Sequence, residues 1–313
     1  MVIDKNLSTW IKLGAAIIVA LHHYSQYVCA NGLSSNIFYT IMSSQGGYLA
    51  VAVFFFLSGY GLNESEKYKH LSFFSFLKKR WLKIYIPTLF VTAMWIPIET
   101  LFKGSNIMGG GGNFLSLIYR LFIGFDDGVL WFLKVLFILY FTFAVYSYVK
   151  KRFNQLYANV SINLMTIAVI AIVWCVFPIY CTISVPMFVL GIMTSNSVDT
   201  SLSLRKLILS VLVWGTFVCT YLLVYETIAL CIHAAINYMF IVVAILVLYK
   251  IPIIIKAKPK LLFATISFDL YLVHGKVLDI LRCTMDNITL VDFMAYTFVF
   301  VLAFYMLRVK LKI

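Results

Sequence analysis

The sequence predicts an all-α membrane protein, a polytopic bundle of about ten transmembrane helices with both termini in the cytoplasm. The first indication is composition: 63% of the 313 residues are hydrophobic and 12% are charged, about half the charged fraction of a soluble domain. The second is the recurrence of apolar segments long enough to cross a bilayer. The third is the uneven placement of Lys and Arg between them. We expect residues 1–313 to form one membrane domain with no additional soluble domain.

A membrane-spanning helix needs about 20 mainly apolar residues. Applied along the chain, this length predicts spans at 8–29, 44–63, 83–102, 129–149, 159–178, 180–196, 206–225, 228–250, 262–281 and 289–308. The segment 113–124 is apolar but short, and it contains Arg120. We expect an interfacial or re-entrant helix there rather than a span.

The placement of basic residues predicts the orientation. If the N-terminus is cytoplasmic, only five of the 25 Lys and Arg residues fall on the outer side, namely Lys103, Arg120, Lys134, Lys276 and Arg282. Cytoplasmic loops carry such an excess of Lys and Arg, and an odd number of spans would spoil the alternation. The same bias accounts for most of the net charge of +13. No basic stripe with interleaved aromatics lies outside the spans, so we expect no nucleic-acid partner.

The cysteines do not show a pattern typical of a metal site. The chain has six, and they form no CxxC pair and do not lie near histidines at zinc spacing. We therefore predict no metal site.

The first span carries Lys12 near its start and the pair His22 and His23 toward its far end. Ionisable side chains inside a membrane helix are costly, which makes them candidates for function. Lys12 and His23 are eleven residues apart, which places them on one helix face about 16 Å apart along the axis. His22 points about 80° away from that face. The pattern predicts that His23 is the histidine that works with Lys12.

The second span and the start of the third contain further candidates. Glycines such as Gly47 and Gly59 permit close approach of helices, and we expect Ser58 to bond a neighbouring backbone carbonyl. Arg80 and Lys83 are one turn apart at the mouth of the third span and share a face. They suit either anionic lipid headgroups or the phosphates of a cytoplasmic ligand.

The ninth span carries another polar cluster. Ser267, Tyr271 and His274 are spaced by four and three residues, so they share one helix face. His274 fits either a site residue or a side chain held by an interhelical hydrogen bond. Asp269 lies on a different face, in the cytoplasmic half of the predicted span. We expect it to pair with a basic residue rather than act as a catalytic acid.

Five segments, in order, resemble the membrane acyltransferase-3 family, which is best known for bacterial O-acetylation of cell-surface glycans. In the first, a basic residue, ten intervening residues and a histidine are matched by Lys12 and His23. The other four are Gly46–Leu62 (GGYLAVAVFFFLSGYGL), Arg80–Pro87 (RWLKIYIP), Leu130–Leu133 (LWFL) and Ile266–His274 (ISFDLYLVH). Lys12 and Lys83 stand where the family most often has arginine, and Phe268 stands in place of a tyrosine.

The resemblance implies an integral membrane O-acyltransferase that moves an acyl group, in the first instance acetyl, from cytoplasmic acyl-CoA to a hydroxyl of a cell-surface or lipid-linked glycan. It implies His23 as catalytic base or acyl carrier, with Lys12, Arg80 and Lys83 binding the donor. Supporting roles are implied for Ser58, Tyr60, Trp131, Ser267, Tyr271 and His274. No permanently bound cofactor is expected. The expected partners are the lipid bilayer, acyl-CoA and the glycan, in a bacterial cell membrane.

Two other functions fit the same composition. A transporter or flippase of a glycan intermediate would also have many spans and polar residues inside the membrane. Such transporters often contain inverted repeats, and no internal repeat is evident here. A sensor or structural subunit that has lost activity is the third alternative, and the two lysines in place of arginines favour it slightly.

Overall fold

The computed structural model describes residues 3–68, 72–103, 114–119, 122, 130–153, 155–176, 179–199, 228–250 and 261–311. Every element in these ranges is a helix: α1 (Lys5–Ala30), α2 (Ile37–Ile41), a π-helical segment (Met42–Gly46), α3 (Gly47–Tyr68), α4 (Phe73–Lys103), α5 (Phe114–Tyr119), α6 (Trp131–Arg152), α7 (Gln155–Val176), a 3₁₀ turn (Ile179–Thr182), α8 (Val185–Asp199), α9 (Ile228–Lys250), α10 (Leu261–Thr284) and α11 (Leu290–Leu311). The all-α prediction is confirmed for this part of the chain.

Five helical stretches in the described ranges are long and apolar enough to cross a membrane. They are Ile37–Tyr68, Phe73–Phe102, Trp131–Arg152, Ile228–Ile245 and Leu290–Leu311. The total of ten spans and the cytoplasmic side of the termini stay predictions. The predicted span 206–225 lies outside the described residues. The predicted interfacial segment 113–124 is described in part, with the short helix α5 at Phe114–Tyr119, and Arg120 lies outside the described residues.

Helix ends differ from the predicted spans where polar residues extend a helix beyond its apolar part. α4 begins at Phe73 rather than at residue 83, because hydropathy marks the part of a helix that suits hydrocarbon and not where its hydrogen bonding starts. The Ser72 side chain accepts a hydrogen bond from the Ser75 amide at that end. Pro87 and Pro97 lie inside the helix without ending it, as membrane helices tolerate.

The closest helix contact is between α3 and α8, and small residues make it possible. A Cβ atom added at Gly59 would overlap the carbonyl oxygen of Phe188, and one added at Gly191 would overlap that of Phe56. The two backbones therefore touch directly, as small residues allow in membrane bundles. The predicted packing role of Gly59 is confirmed.

Contacts between side chains show which way the helices run. His23 of α1 lies beside His274 of α10, and Tyr24 of α1 stacks on Phe293 at the start of α11. α1 and α10 are therefore parallel, and α11 returns in the opposite direction. The pairing of Arg308 on α11 with Asp269 on α10 agrees with that antiparallel arrangement.

Asp269 pairs with a basic residue, as predicted. The Arg308 Nη2 atom donates to Asp269 Oδ2 over 2.9 Å, and both side chains are buried. A buried charge with no partner would be costly in a membrane bundle. The pair therefore fixes how α10 and α11 pack, and it leaves the acid outside any predicted site.

A second polar network joins the far ends of α3, α6 and α8. Asn63 donates to Ser195 Oγ and to Asn196 Oδ1 over 2.8 and 2.9 Å, and Ser195 Oγ donates to Glu64 Oε1 over 2.6 Å. Lys67 forms an ion pair with Glu64 at 2.7 Å. Because these groups bond one another, the network stabilises the packing of α3 against α8 at this end of the bundle.

Candidate active site

A cavity of about 410 Å³ lies between α1, α3, α6 and α10. Its volume falls in the range of about 300–1,000 Å³ usual for small-molecule sites. Both histidines of α1, His22 and His23, line it, and Trp131 and Tyr271 line it from α6 and α10. It is hereafter called the cavity.

His23 is held by its own helix and covered by another. Its Nδ1 atom lies 3.0 Å from Oε1 of Gln26, one turn further along α1. With that oxygen accepting, the Nδ1 atom carries the proton and the Nε2 atom keeps a lone pair. The His274 ring packs beside it, with ring centroids 5.2 Å apart. A neutral imidazole in this tautomer can accept a proton at Nε2 or attack an electrophile.

His22 is turned toward a different partner. Its Nδ1 atom lies 2.9 Å from the Met42 carbonyl oxygen. Because a carbonyl oxygen can only accept, Nδ1 is the donor of this hydrogen bond. The ring also lies tightly against Gly47, where an added Cβ would come within 2.6 Å of Nε2. His22 therefore anchors the π-helical segment to α1, whereas the Nδ1 atom of His23 bonds the Gln26 side chain.

Aromatic rings form much of the cavity wall. Trp131 meets Tyr180 edge to face at 5.9 Å, and Tyr180 meets Tyr48 in a similar way at 6.4 Å. Tyr271 packs against Phe132 at 5.3 Å from the other side. The wall is therefore apolar over its ring faces, with a few phenol and imidazole groups to orient a ligand.

One ion pair stands among the lining residues. Asp279 and Arg282, both about half exposed, approach each other to 3.8 Å. The Arg282 guanidinium also lies over the Tyr27 ring, 5.3 Å from its centroid. An exposed pair of this kind contributes little stability. Its two charges lie at a solvent-exposed part of the cavity lining.

Three predicted cationic residues come together near the other end of α1. Lys12 lies within electrostatic range of Arg80 and Lys83, and the range of Lys83 extends to Lys5 and Lys79. The Arg80 Nη2 atom donates to Ser65 Oγ over 3.2 Å. Like charges repel, so such a basic cluster is stable only with anions or solvent around it. We call Lys12, Arg80 and Lys83 the basic cluster.

α1 thus contributes His23 to the cavity and Lys12 to the basic cluster, with about 16 Å of helix between them. A family model described as "Acyltransferase domain" matches residues 8–309, which is nearly the whole chain. The chain belongs to the membrane acyltransferase-3 family. No curated protein and no solved structure matches it. The match confirms the family resemblance and makes the protein a multi-pass membrane acyltransferase.

The predicted supporting residues of this acyltransferase fall into two groups. Trp131 and Tyr271 line the cavity, and His274 packs against His23. Ser267 is buried on the same helix face one turn before Tyr271. Two of these four predicted residues therefore line the cavity, and His274 contacts a residue that does.

Ser58 and Tyr60 lie elsewhere. The Ser58 hydroxyl lies within hydrogen-bond range of the Tyr140 side chain, and its expected bond to a backbone carbonyl stays a prediction. The Tyr60 hydroxyl accepts a hydrogen bond from the Ile3 amide over 3.2 Å. In this acyltransferase both residues connect separate segments of the chain, and neither is among the cavity's lining residues.

Sequence reasoning missed several residues of the cavity. Gln26 lies three residues after His23, and the spacing alone could have indicated it. Tyr48 lies in a segment whose glycines alone suggested a role, namely close helix packing. Tyr180 follows a break in the helical pattern. Their approach to His23 depends on how α3 and the 3₁₀ turn pack, which local periodicity does not encode.

Proposed function

We propose that the acyltransferase moves an acetyl group from cytoplasmic acetyl-CoA to a hydroxyl of a cell-surface or lipid-linked glycan in a bacterial cell membrane. The observation that carries the proposal is the position of His23. It lines a cavity of ligand size and shares its helix with Lys12 of the basic cluster. A donor that is anionic at one end and reactive at the other suits that arrangement.

The basic cluster would engage the donor's phosphates. Charged groups such as the Arg80 guanidinium bond phosphate oxygens strongly, and arginine does so in a bidentate way that lysine does not. The lysines at positions 12 and 83 supply point charges to the same anion. No permanently bound cofactor enters this scheme, because acyl-CoA is consumed as a substrate.

Transfer at the cavity follows from the chemistry of imidazole. With His23 as general base, its Nε2 atom takes the proton of the sugar hydroxyl while that oxygen attacks the thioester carbonyl. A C–O bond forms, the C–S bond breaks, and the proton passes to the departing CoA thiolate. His274 and Gln26 keep the ring in place during the step.

His23 also suits the role of transient acyl carrier. In that route Nε2 attacks the thioester, the C–S bond breaks, and the acyl group rests on the imidazole until the hydroxyl attacks it. Rapid acid quench followed by mass spectrometry of the protein distinguishes the two. A mass increase equal to one acyl group on the peptide that contains His23 indicates the carrier, and an unmodified peptide throughout turnover indicates the base.

The test of the function is mass spectrometry of the surface glycan from cells with and without the intact gene. The expected result is a glycan lighter by one acetyl group per modified residue when the gene is lost. A His23→Ala gene should give the same lighter glycan while the protein is still made and inserted. A glycan of unchanged mass in cells that lack the gene would contradict the proposal.

A further inference from the structure

Polar side chains are concentrated behind one wall of the cavity, and the transfer chemistry does not use them. Gln45 of the π-helical segment and His233 of α9 bond each other through Oε1 and Nδ1. Gln45 Nε2 also donates to Asn237 Oδ1 over 2.8 Å. Intramembrane polar residues are costly and usually serve a purpose.

This group contacts Tyr48 through His233. The His233 ring lies 4.9 Å from the Tyr48 ring, with 34° between their planes. The bond from Gln45, which is itself bonded to Asn237, fixes the rotation of His233 and hence its place behind Tyr48. Tyr48 itself lines the cavity. One side of the phenol ring is thus backed by a rigid imidazole while the residue faces the ligand space.

Further contacts hold Tyr48 in position. Its backbone carbonyl accepts a hydrogen bond from the Ser184 hydroxyl over 3.3 Å, and its ring meets the edge of Tyr180 at 6.4 Å. Tyr180 in turn meets Trp131 at 5.9 Å. The ring planes of Tyr48 and Tyr180 differ by 62° and those of Tyr180 and Trp131 by 82°. Tyr180 and Trp131 therefore flank the supported Tyr48 ring at steep angles.

The face of an aromatic ring carries negative quadrupole charge, and its attraction is for weakly positive hydrogens. A pyranose ring in its chair form presents several C–H bonds on one face and its hydroxyls around the rim. Such a ring packs by its C–H face on a flat aromatic surface and keeps its hydroxyls free for polar groups. An open-chain polyol has no such face.

We propose that the Tyr48 ring is the platform on which the acceptor sugar ring lies, flanked by Tyr180 and Trp131, and that His233 is its positioning residue, held by Gln45, which Asn237 bonds in turn. The proposal rests on the proposed function for the glycan acceptor. The platform lies in the same cavity as His23, so a sugar packed on it has its rim hydroxyls beside the imidazole.

The test uses the full chain in lipid nanodiscs and measures transfer of NMR saturation to methyl hexopyranosides, with sorbitol as the open-chain comparison. We expect saturation on the C–H groups of one pyranoside face and none above background on sorbitol. Tyr48→Leu should lower the pyranoside signal about tenfold, and Tyr48→Trp should keep it. Tyr148→Leu is the matched control, because Tyr148 is exposed on α6 and lies outside the cavity lining.

The role of His233 needs its own readout. His233→Ala should weaken pyranoside binding about threefold to tenfold, and His233→Phe should restore most of it because a ring again backs Tyr48. In the Tyr48→Leu background, His233→Ala should have no further effect, since the two residues act as a unit. Additive losses would show that His233 does not act through Tyr48.

Two outcomes separate this proposal from the proposed function. If pyranosides bind at Tyr48 but no acyl group reaches any glycan, the result supports the sugar platform and contradicts the proposed acetyl transfer. If glycan is acetylated and Tyr48→Leu leaves the acceptor KM unchanged, the function stands and the platform falls. Equal saturation of sorbitol and pyranosides, or no pyranoside signal at all, also overturns the platform.

Discussion

The two ends of α1 have different surroundings. Around His23 the surroundings are rings: His274 at 5.2 Å, Trp131 and Tyr271 in the cavity wall. Around Lys12 they are cations, namely Arg80 and Lys83. The cavity end combines ring faces with a few polar groups, whereas the other end concentrates positive charge. The difference teaches that one helix can contribute side chains to two chemically distinct regions about 16 Å apart.

We expect the largest loss of activity from a change at the end of α1 that lines the cavity. We expect His23→Ala to lower kcat by about 10²–10⁴-fold, the usual contribution of general acid–base catalysis. Turnover of acetyl-CoA to glycan by the purified protein measures it. The matched variant His22→Asn should lose far less, because its amide can still donate to the Met42 carbonyl. Equal losses in both variants would contradict the distinction between the histidines.

The second largest effect concerns stability rather than chemistry. Asp269→Leu leaves the buried Arg308 guanidinium without its carboxylate, which we expect to destabilise the protein by about 3–5 kcal/mol. Thermal unfolding in nanodiscs measures the change. The double variant Asp269→Leu with Arg308→Met should regain most of the loss. Failure of the double variant to recover would show that the two side chains act separately.

A change at the basic end should affect the donor alone. We expect Arg80→Ala to raise the KM for acetyl-CoA about 10- to 100-fold, since a hydrogen bond to a charged group contributes about 1.5–3 kcal/mol. Steady-state kinetics with each substrate varied in turn measures it, and the acceptor KM should not move. Lys310→Ala, an exposed lysine on α11, is the control. An equal rise in the acceptor KM would break the separation of the two ends.

The smallest expected effect is at Tyr60, which is in a family segment but outside the cavity. Tyr60→Phe removes the acceptor of the Ile3 amide hydrogen bond and should lower the free energy of unfolding by about 1 kcal/mol. Thermal unfolding and transfer kinetics on the same preparation give both values. Kinetics that match the unchanged protein support a structural role, whereas a tenfold fall in kcat would move Tyr60 into the site.

Local pattern was enough to predict several parts of the molecule. Helical periodicity and hydropathy located helices such as α9 and α10 close to their observed bounds, because helices form through contacts three and four residues apart. The ordered motifs identified the family, since each short segment retains its own residue types. The need of Asp269 for a basic partner also followed from the cost of burying a charge.

The tertiary structure alone decided which distant residues meet. It placed His274 beside His23, though 251 positions separate them in the chain, and it made Arg308 the partner of Asp269. It also set Tyr48, Tyr180 and Trp131 into one wall. Helix packing fixes these contacts, and packing depends on the shape of whole faces at once, which no local spacing records. The sequence by itself determined the helices and the candidate chemistry, and the fold determined the cavity.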